Sequence, residues 1–187
     1  MTELMNLDGN ILLWIQDNLR NDILTPIFKV ITTLGDKGIF WIAVAVLLLI
    51  LRKWKLGGSV SIALILMLII NNMVLKELID RTRPYEVVEG LVSVIGPVHN
   101  SPSFPSGHTA GSFAAATVLF LKAPKRYGVP ALILAVLIGF SRLYLGVHYP
   151  TDVLGGMVVG IICALLGIFI VDRIEKVVLK KKSGNDD

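Results

Sequence analysis

A lysine and an arginine are set seven positions apart in the run Lys76-Glu-Leu-Ile-Asp-Arg-Thr-Arg83-Pro84. On a helix that spacing puts both cations on one face, about 10 Å apart along the axis, and Pro84 is expected to stop the helix there. A compact ammonium beside a guanidinium fork makes a phosphate clamp. A second run, Ser103-Phe-Pro105-Ser106-Gly107-His108, reads as a helix start. Pro105 suits a first helical position, and Gly107 leaves the backbone open to a ligand. The unpaired amides and the positive end of the helix dipole attract an anion. Ser106 adds a hydroxyl donor, and His108 stands beside whatever binds. A third run places Arg142, His148 and Asp152 around Gly146 and Pro150. Those two residues mark a break between helices, with His148 in the turn and Asp152 four residues on. A carboxylate holding one imidazole nitrogen leaves the other free to attack. Each run alone also has a plainer reading: snorkelling cations, an ordinary cap, or a carboxylate at a helix N-terminus. Together they describe phosphoryl chemistry.

What must position these residues is a membrane bundle. The chain has 187 residues, 54% apolar and 17% charged, with a mean hydropathy of +0.72. Soluble domains carry roughly 25% charged residues, so little is left to cover a wet surface. Disorder, coiled coil and collagen are excluded by the same composition, and the length suits about one domain. The single cysteine, Cys163, excludes a disulfide framework and a cysteine metal site.

Five apolar segments, near 38–51, 56–79, 107–121, 127–145 and 151–171, approach the roughly 20 residues that cross a bilayer. The first and third are short and are expected to extend into their polar flanks. Before them, Ile11, Leu12, Ile15 and Leu19 form an apolar stripe, with Asp8, Asn10, Asp17 and Asn18 elsewhere. That pattern predicts a helix lying in the interface, and 23–34 is a candidate sixth span. No basic head precedes a compact apolar core, so a cleavable signal is not expected.

The expected fold is an all-α, polytopic membrane helix bundle of five to six transmembrane helices with an N-terminal interfacial helix. Its parts are 1–35, interfacial; 36–173, the bundle; and 174–187, a cytoplasmic basic tail. Eleven of the eighteen Lys and Arg fall on one face of this topology and ten of the fourteen Asp and Glu on the other. The positive-inside rule then puts the N-terminus outside and the C-terminus inside. The outer helix ends bring together three cations, two histidines and one carboxylate, groups that are costly near a membrane core and usually functional there.

A net charge of +4 does not indicate nucleic acid, since the basic residues sit beside apolar runs rather than in a stripe interleaved with aromatics. Val87, Val88, Leu91, Val92 and Ile95 recur at helix-like spacing, which predicts that 85–104 lies on the membrane as a lid. Gly155, Gly156 and Gly160 read as sites of close helix packing. Cys163 reads as a buried small residue, and His99 as a loop residue. Glu86 and Glu89, near the basic site, have no assigned role. Lys180 to Lys182 and the acidic end read as a mobile tail attracted to lipid.

The three runs, Lys-x6-Arg-Pro at 76–84, Pro-Ser-Gly-His at 105–108 and Ser-Arg-x5-His-x3-Asp at 141–152, resemble the signature of the type 2 phosphatidic acid phosphatase superfamily at every signature position and in order. The resemblance implies a two-step, metal-independent hydrolysis with no cofactor. It implies His148 as nucleophile, Asp152 as its orienting partner and His108 as general acid. Lys76, Arg83, Arg142, Ser106 and the Gly107 amide would hold the phosphoryl oxygens. It further implies a lipid phosphate substrate met at the extracytoplasmic face of the cell membrane, undecaprenyl diphosphate first. A broad phosphatidylglycerophosphate or phosphatidic acid phosphatase follows, and a head-group phosphotransferase is a further possibility. The rival of another class is an anion or lipid-phosphate transporter, which would spread its charges along a pathway. Oligomeric state is not legible.

Overall fold

The computed structural model describes residues 3–96 and 101–183. Among these residues the chain is all-helical. The helices are α1 (Glu3–Leu19), α2 (Leu24–Thr33), α3 (Ile39–Ile50), α4 (Trp54–Met67), α5 (Lys76–Ile79), α6 (Pro84–Val87), α7 (Gly107–Lys122), α8 (Lys125–Tyr144) and α9 (Pro150–Ser183). A tight 3-10 turn, Asp36–Gly38, joins α2 to α3, and a π-helical stretch, Leu68–Leu75, joins α4 to α5.

Among the described residues, three stretches are long and apolar enough to cross a membrane: Trp54–Val87, Lys125–Tyr144 and Pro150–Leu179. The pair Leu24–Thr33 and Asp36–Ile50, bent by 42°, makes a fourth if the two count as one span. The stretch 23–34 falls largely within this bent pair. Ile42, Val46, Ile133, Val136, Ile162 and Phe169 face outward, the expected orientation where the surrounding medium is lipid rather than water.

The centre of the bundle is α7. It packs against α8, α9 and α4, and from Thr109 to Leu119 every one of its residues is buried. Its alanines and glycine make it thin enough to be surrounded. The expected close packing of α9 is present. A Cβ on Gly156 would fall 2.6 Å from the Ser106 carbonyl oxygen, and one on Gly160 would fall 2.5 Å from that of Ala110. Cys163 is buried, and the Trp41 indole donates to Ser112 Oγ at 3.0 Å, pinning α3 to α7.

The N-terminal segment is fastened to the bundle. Leu12 and Ile15 of the apolar stripe are buried while Ile11 stays exposed. Phe28 packs on Phe140 and Tyr144, and Arg20 Nε donates to the Tyr144 carbonyl at 2.8 Å.

Several local expectations are corrected. Lys76 and Arg83 do not share one helix: α5 ends at Asp80, which is left-handed at φ 42°, and Arg83 is extended. Pro84 opens the short α6 instead of ending a helix, its fixed φ and missing N–H suiting a first turn. Pro105 stands before the cap, and Ser106 is the N-cap of α7. The segment after α6 is not helical through Ile95; Gly90 and Gly96 turn it with positive φ. It is tied down by Gln16 Nε2 donating to the Gly90 carbonyl, 3.0 Å, and Arg20 Nη1 donating to that of Val92, 2.7 Å. Helix α9 runs unbroken to Ser183, well past the boundary drawn by hydropathy. His99 and the acidic end at 186–187 lie outside the described residues.

Candidate active site

The three runs converge, by a route other than one helical face. Lys76 Nζ donates to Ser101 Oγ at 2.8 Å, and Arg83 Nε donates to the Ser101 carbonyl at 2.9 Å. A loop serine therefore draws the two cations together after the helix has broken between them. Arg83 is buried, and its Nη1 donates to the Val147 carbonyl, 2.9 Å, and lies 3.2 Å from His148 Nε2.

His148 sits in the turn between α8 and α9, 2% exposed. Its Nδ1 is 3.3 Å from Asp152 Oδ2, and that same oxygen accepts the Tyr149 amide at 2.8 Å. Burial first, then the positive charges of Arg142 and Arg83, hold the His148 imidazole well below the usual histidine range. His108 and Lys76 also act on that ring electrostatically, so the histidines and the three clamp cations share one electrostatic neighbourhood.

Arg142 lies in the last turn of α8 and is buried. Its Nη1 donates to Thr32 Oγ1 at 2.6 Å, while its Nε is buried without a partner among the described residues. No carboxylate lies within 4.0 Å of Lys76, Arg83 or Arg142 among the described residues. Buried cations without counter-ions are costly, and they are the arrangement an anionic ligand would complete.

At the head of α7, Ser106 Oγ accepts from Thr109 Oγ1 at 2.9 Å and caps the helix. Its oxygen is thus engaged within α7 and its hydrogen is what remains to give. The Ser106 amide donates to the Asp152 carbonyl at 3.0 Å, which sets the start of α7 against the start of α9. His108 Nε2 meets Asp36 Oδ1 at 2.8 Å. His108 and Arg142 line a cleft of about 600 Å³ together with Lys29, Thr32, Thr33, Asp36, Val94 and Ile95.

Some residues of this site are given no role in the reading of the three runs. Arg81 is the chief of them. Its Nη1 donates to Asp152 Oδ1 at 2.7 Å and to Thr151 Oγ1 at 2.6 Å, and its Nη2 pairs with Asp8 Oδ2 at 2.8 Å. Asp152 therefore serves Arg81 as closely as it serves His148. Asp8 comes from α1, is buried, and also accepts from the Thr151 amide and hydroxyl. A signal for Arg81 existed in the alternation Arg81-Thr82-Arg83, since residues two apart share a side of an extended chain. Asp36 and Ser101 carry no such signal, because what makes them matter is their neighbour in space.

The chain is similar to known proteins over much of its length. It is 34% identical over 121 residues to an undecaprenyl-diphosphatase of Sulfolobus acidocaldarius, covering 64% of this chain and 58% of that one. It is 35% identical over 131 residues to the undecaprenyl-diphosphatase BcrC of Bacillus subtilis, covering 66% of each. The chain thus spans less than two thirds of the length of either of these relatives. Its fold is similar to the crystal structure of a transmembrane PAP2 type phosphatidylglycerolphosphate phosphatase from Bacillus subtilis, with a TM-score of 0.73, 28% identity, and coverage of 95% of this chain and 89% of that one. Residues 54–176, which carry all three runs and both histidines, match the PAP2 superfamily model, and the chain belongs to that superfamily.

Proposed function

We propose that this chain is a membrane lipid phosphatase that works through a phosphohistidine on His148. The observation that carries the reading is a buried imidazole, 3.2 Å from Arg83 Nη1 and 3.3 Å from Asp152 Oδ2, set against cations with no carboxylate within 4.0 Å among the described residues. Phosphoryl transfer asks chiefly for positioning and for positive charge on the equatorial oxygens. Lys76, Arg83, Arg142, Ser106 and the Gly107 amide supply these, and no step calls for a metal.

In the first step the Nε2 lone pair of His148 forms the N–P bond while the P–O bond to the lipid breaks. The departing electron pair stays on the leaving oxygen, which takes a proton from His108. Asp152 holds the Nδ1–H and stabilises the charge that develops on the ring. In the second step water attacks phosphorus, the N–P bond breaks, the water proton returns to His108, and inorganic phosphate leaves.

Undecaprenyl diphosphate at the extracytoplasmic face is the preferred substrate in this reading. The names of the Sulfolobus and Bacillus relatives support the substrate, and the charge asymmetry, read by the positive-inside rule, supports the extracytoplasmic face. Counting α3 and the buried α7 as crossings yields five spans, N-terminus out and C-terminus in. The phosphatidylglycerolphosphate phosphatase of similar fold supports a second substrate, and a panel of both lipids in detergent micelles decides between them. Purified protein is expected to release phosphate and, quenched in alkali with a 32P-labelled substrate, to carry acid-labile label. His148→Ala is expected to do neither. Full turnover by that variant would overturn the mechanism.

A further inference from the structure

The cleft that reaches His108 and Arg142 has one wall that the three runs do not contribute to. Thr32 and Thr33 each stand about one turn after Lys29 on α2, and all three line it, as residues three and four apart share a helix face. Lys29 is exposed and has no ion pair among the described residues. Thr32 takes Arg142 Nη1 on its hydroxyl oxygen at 2.6 Å, which leaves its own hydrogen to donate. The remaining carboxylate of the cleft, Asp36, is engaged by His108 at 2.8 Å. Val94 and Ile95 make the apolar side. The volume, about 600 Å³, is within the range of roughly 300–1,000 Å³ usual for small-molecule sites.

We infer that the α2 wall is a second phosphate subsite, in which Lys29 and Thr32 hold the non-reacting phosphate of a lipid diphosphate while Val94 and Ile95 receive the start of its chain. The inference rests on the proposed phosphatase activity and names its substrate class. The chemistry of the leaving group is what requires such a wall. When a phosphomonoester is cleaved, the departing alcohol is neutral once His108 has protonated it. When a diphosphate is cleaved, the departing group is itself a phosphate, whose charge must be met on the His108 side of the reacting phosphorus. Two cations line the cleft that His108 lines, Arg142 and Lys29; Arg142 is taken by the reacting phosphate in the proposed mechanism, which leaves Lys29 for the departing one. A monophosphate lipid has nothing to offer this wall, so the subsite selects diphosphates.

The test compares farnesyl diphosphate with farnesyl monophosphate in detergent micelles, reading kcat/KM for each as phosphate release. The wild type is expected to favour the diphosphate. In Lys29→Met the ratio of the two constants is expected to fall about tenfold, the weight of one charge-assisted hydrogen bond. Lys29→Arg is expected to keep most of it. Lys29 is exposed, so the substitution removes no buried contact, and circular dichroism checks that the helices persist. An unchanged ratio in Lys29→Met, whether both constants fall together or neither moves, overturns the subsite while leaving the phosphatase intact. A wild type that releases phosphate from neither probe nor from phosphatidic acid overturns both.

Discussion

Nη1 of Arg83 lies 3.2 Å from Nε2 of His148, and a guanidinium has only hydrogens to give. Nε2 is therefore the ring nitrogen without a proton. Nδ1 carries the hydrogen, and it faces Asp152 Oδ2 at 3.3 Å. The tautomer is set from both ends of the ring, and it is the one that can attack a phosphorus. An arriving phosphoryl group offers Arg83 an oxygen in place of Nε2 and so releases the lone pair it will meet.

The same contact makes a protonated His148 costly, which predicts how stability varies with pH. An unfolded histidine titrates near 6.5, whereas in the fold burial and the charges of Arg142 and Arg83 keep this ring well below that value. Above pH 6.5 both states are neutral and the group contributes no pH dependence. As pH falls below 6.5 the unfolded chain takes up the proton first, so the folded state loses stability. The thermal midpoint in detergent is expected to fall between pH 7 and pH 5, and by less in His148→Gln. An equal fall in both proteins would assign the effect to other groups.

Arg81 joins two carboxylates, Asp8 of α1 and Asp152 of α9, and the three side chains are 17%, 3% and 0% exposed. Removing the cation strands two buried negative charges, at a cost on the order of 3–5 kcal/mol. Arg81→Ala is expected to melt at a much lower temperature. Asp8→Asn is the gentler change, because it keeps the shape and removes one charge from Arg81, which can then draw closer to Asp152 and weaken that carboxylate's hold on Nδ1. Its expected signature is a several-fold lower kcat with KM nearly unchanged, as suits an interaction expressed in the transition state. A rise in KM alone would place Asp8 in substrate binding instead.

Which parts of this site were legible in the sequence follows from what held each part in place. Arg142, His148 and Asp152 were readable because a helix end, a glycine turn and a helix start are local, and local spacing carried them to the right place. Lys76 and Arg83 do come together, but not on one helical face. The helix they were expected to share breaks at Asp80, and it is Ser101, far along the chain, that gathers them. The apolar run in 85–104 looked helical, but its path is set by glycines with positive φ and by hydrogen bonds from Gln16 and Arg20. Asp8 read as the polar side of an interfacial stripe, yet it is buried against Arg81. Each miss is a contact between distant segments, to which hydropathy and periodicity are blind.

Gly35 offers a test of His108 that removes no polar group from the site. It is the residue before the Asp36–Gly38 turn, at φ −90° and ψ −10°, a conformation open to alanine, so a substitution there is judged on space alone. A Cβ would fall 2.6 Å from His108 Cδ2 and 2.9 Å from Ile138 Cγ2, closer than carbon atoms approach. Of these neighbours the imidazole, at the edge of the cleft, has room to yield, whereas Ile138 is buried in the core. Gly35→Ala should therefore push the ring off its line to the leaving oxygen, with an overpacking cost of about 1–3 kcal/mol. Lipid phosphate hydrolysis, which needs that proton, is expected to slow by about 10²-fold or more. Hydrolysis of an aryl phosphate such as p-nitrophenyl phosphate, whose leaving group departs without one, should slow far less. Equal slowing on the two substrates would show that the variant disturbs the phosphate clamp, and His108 would lose its assignment as the acid.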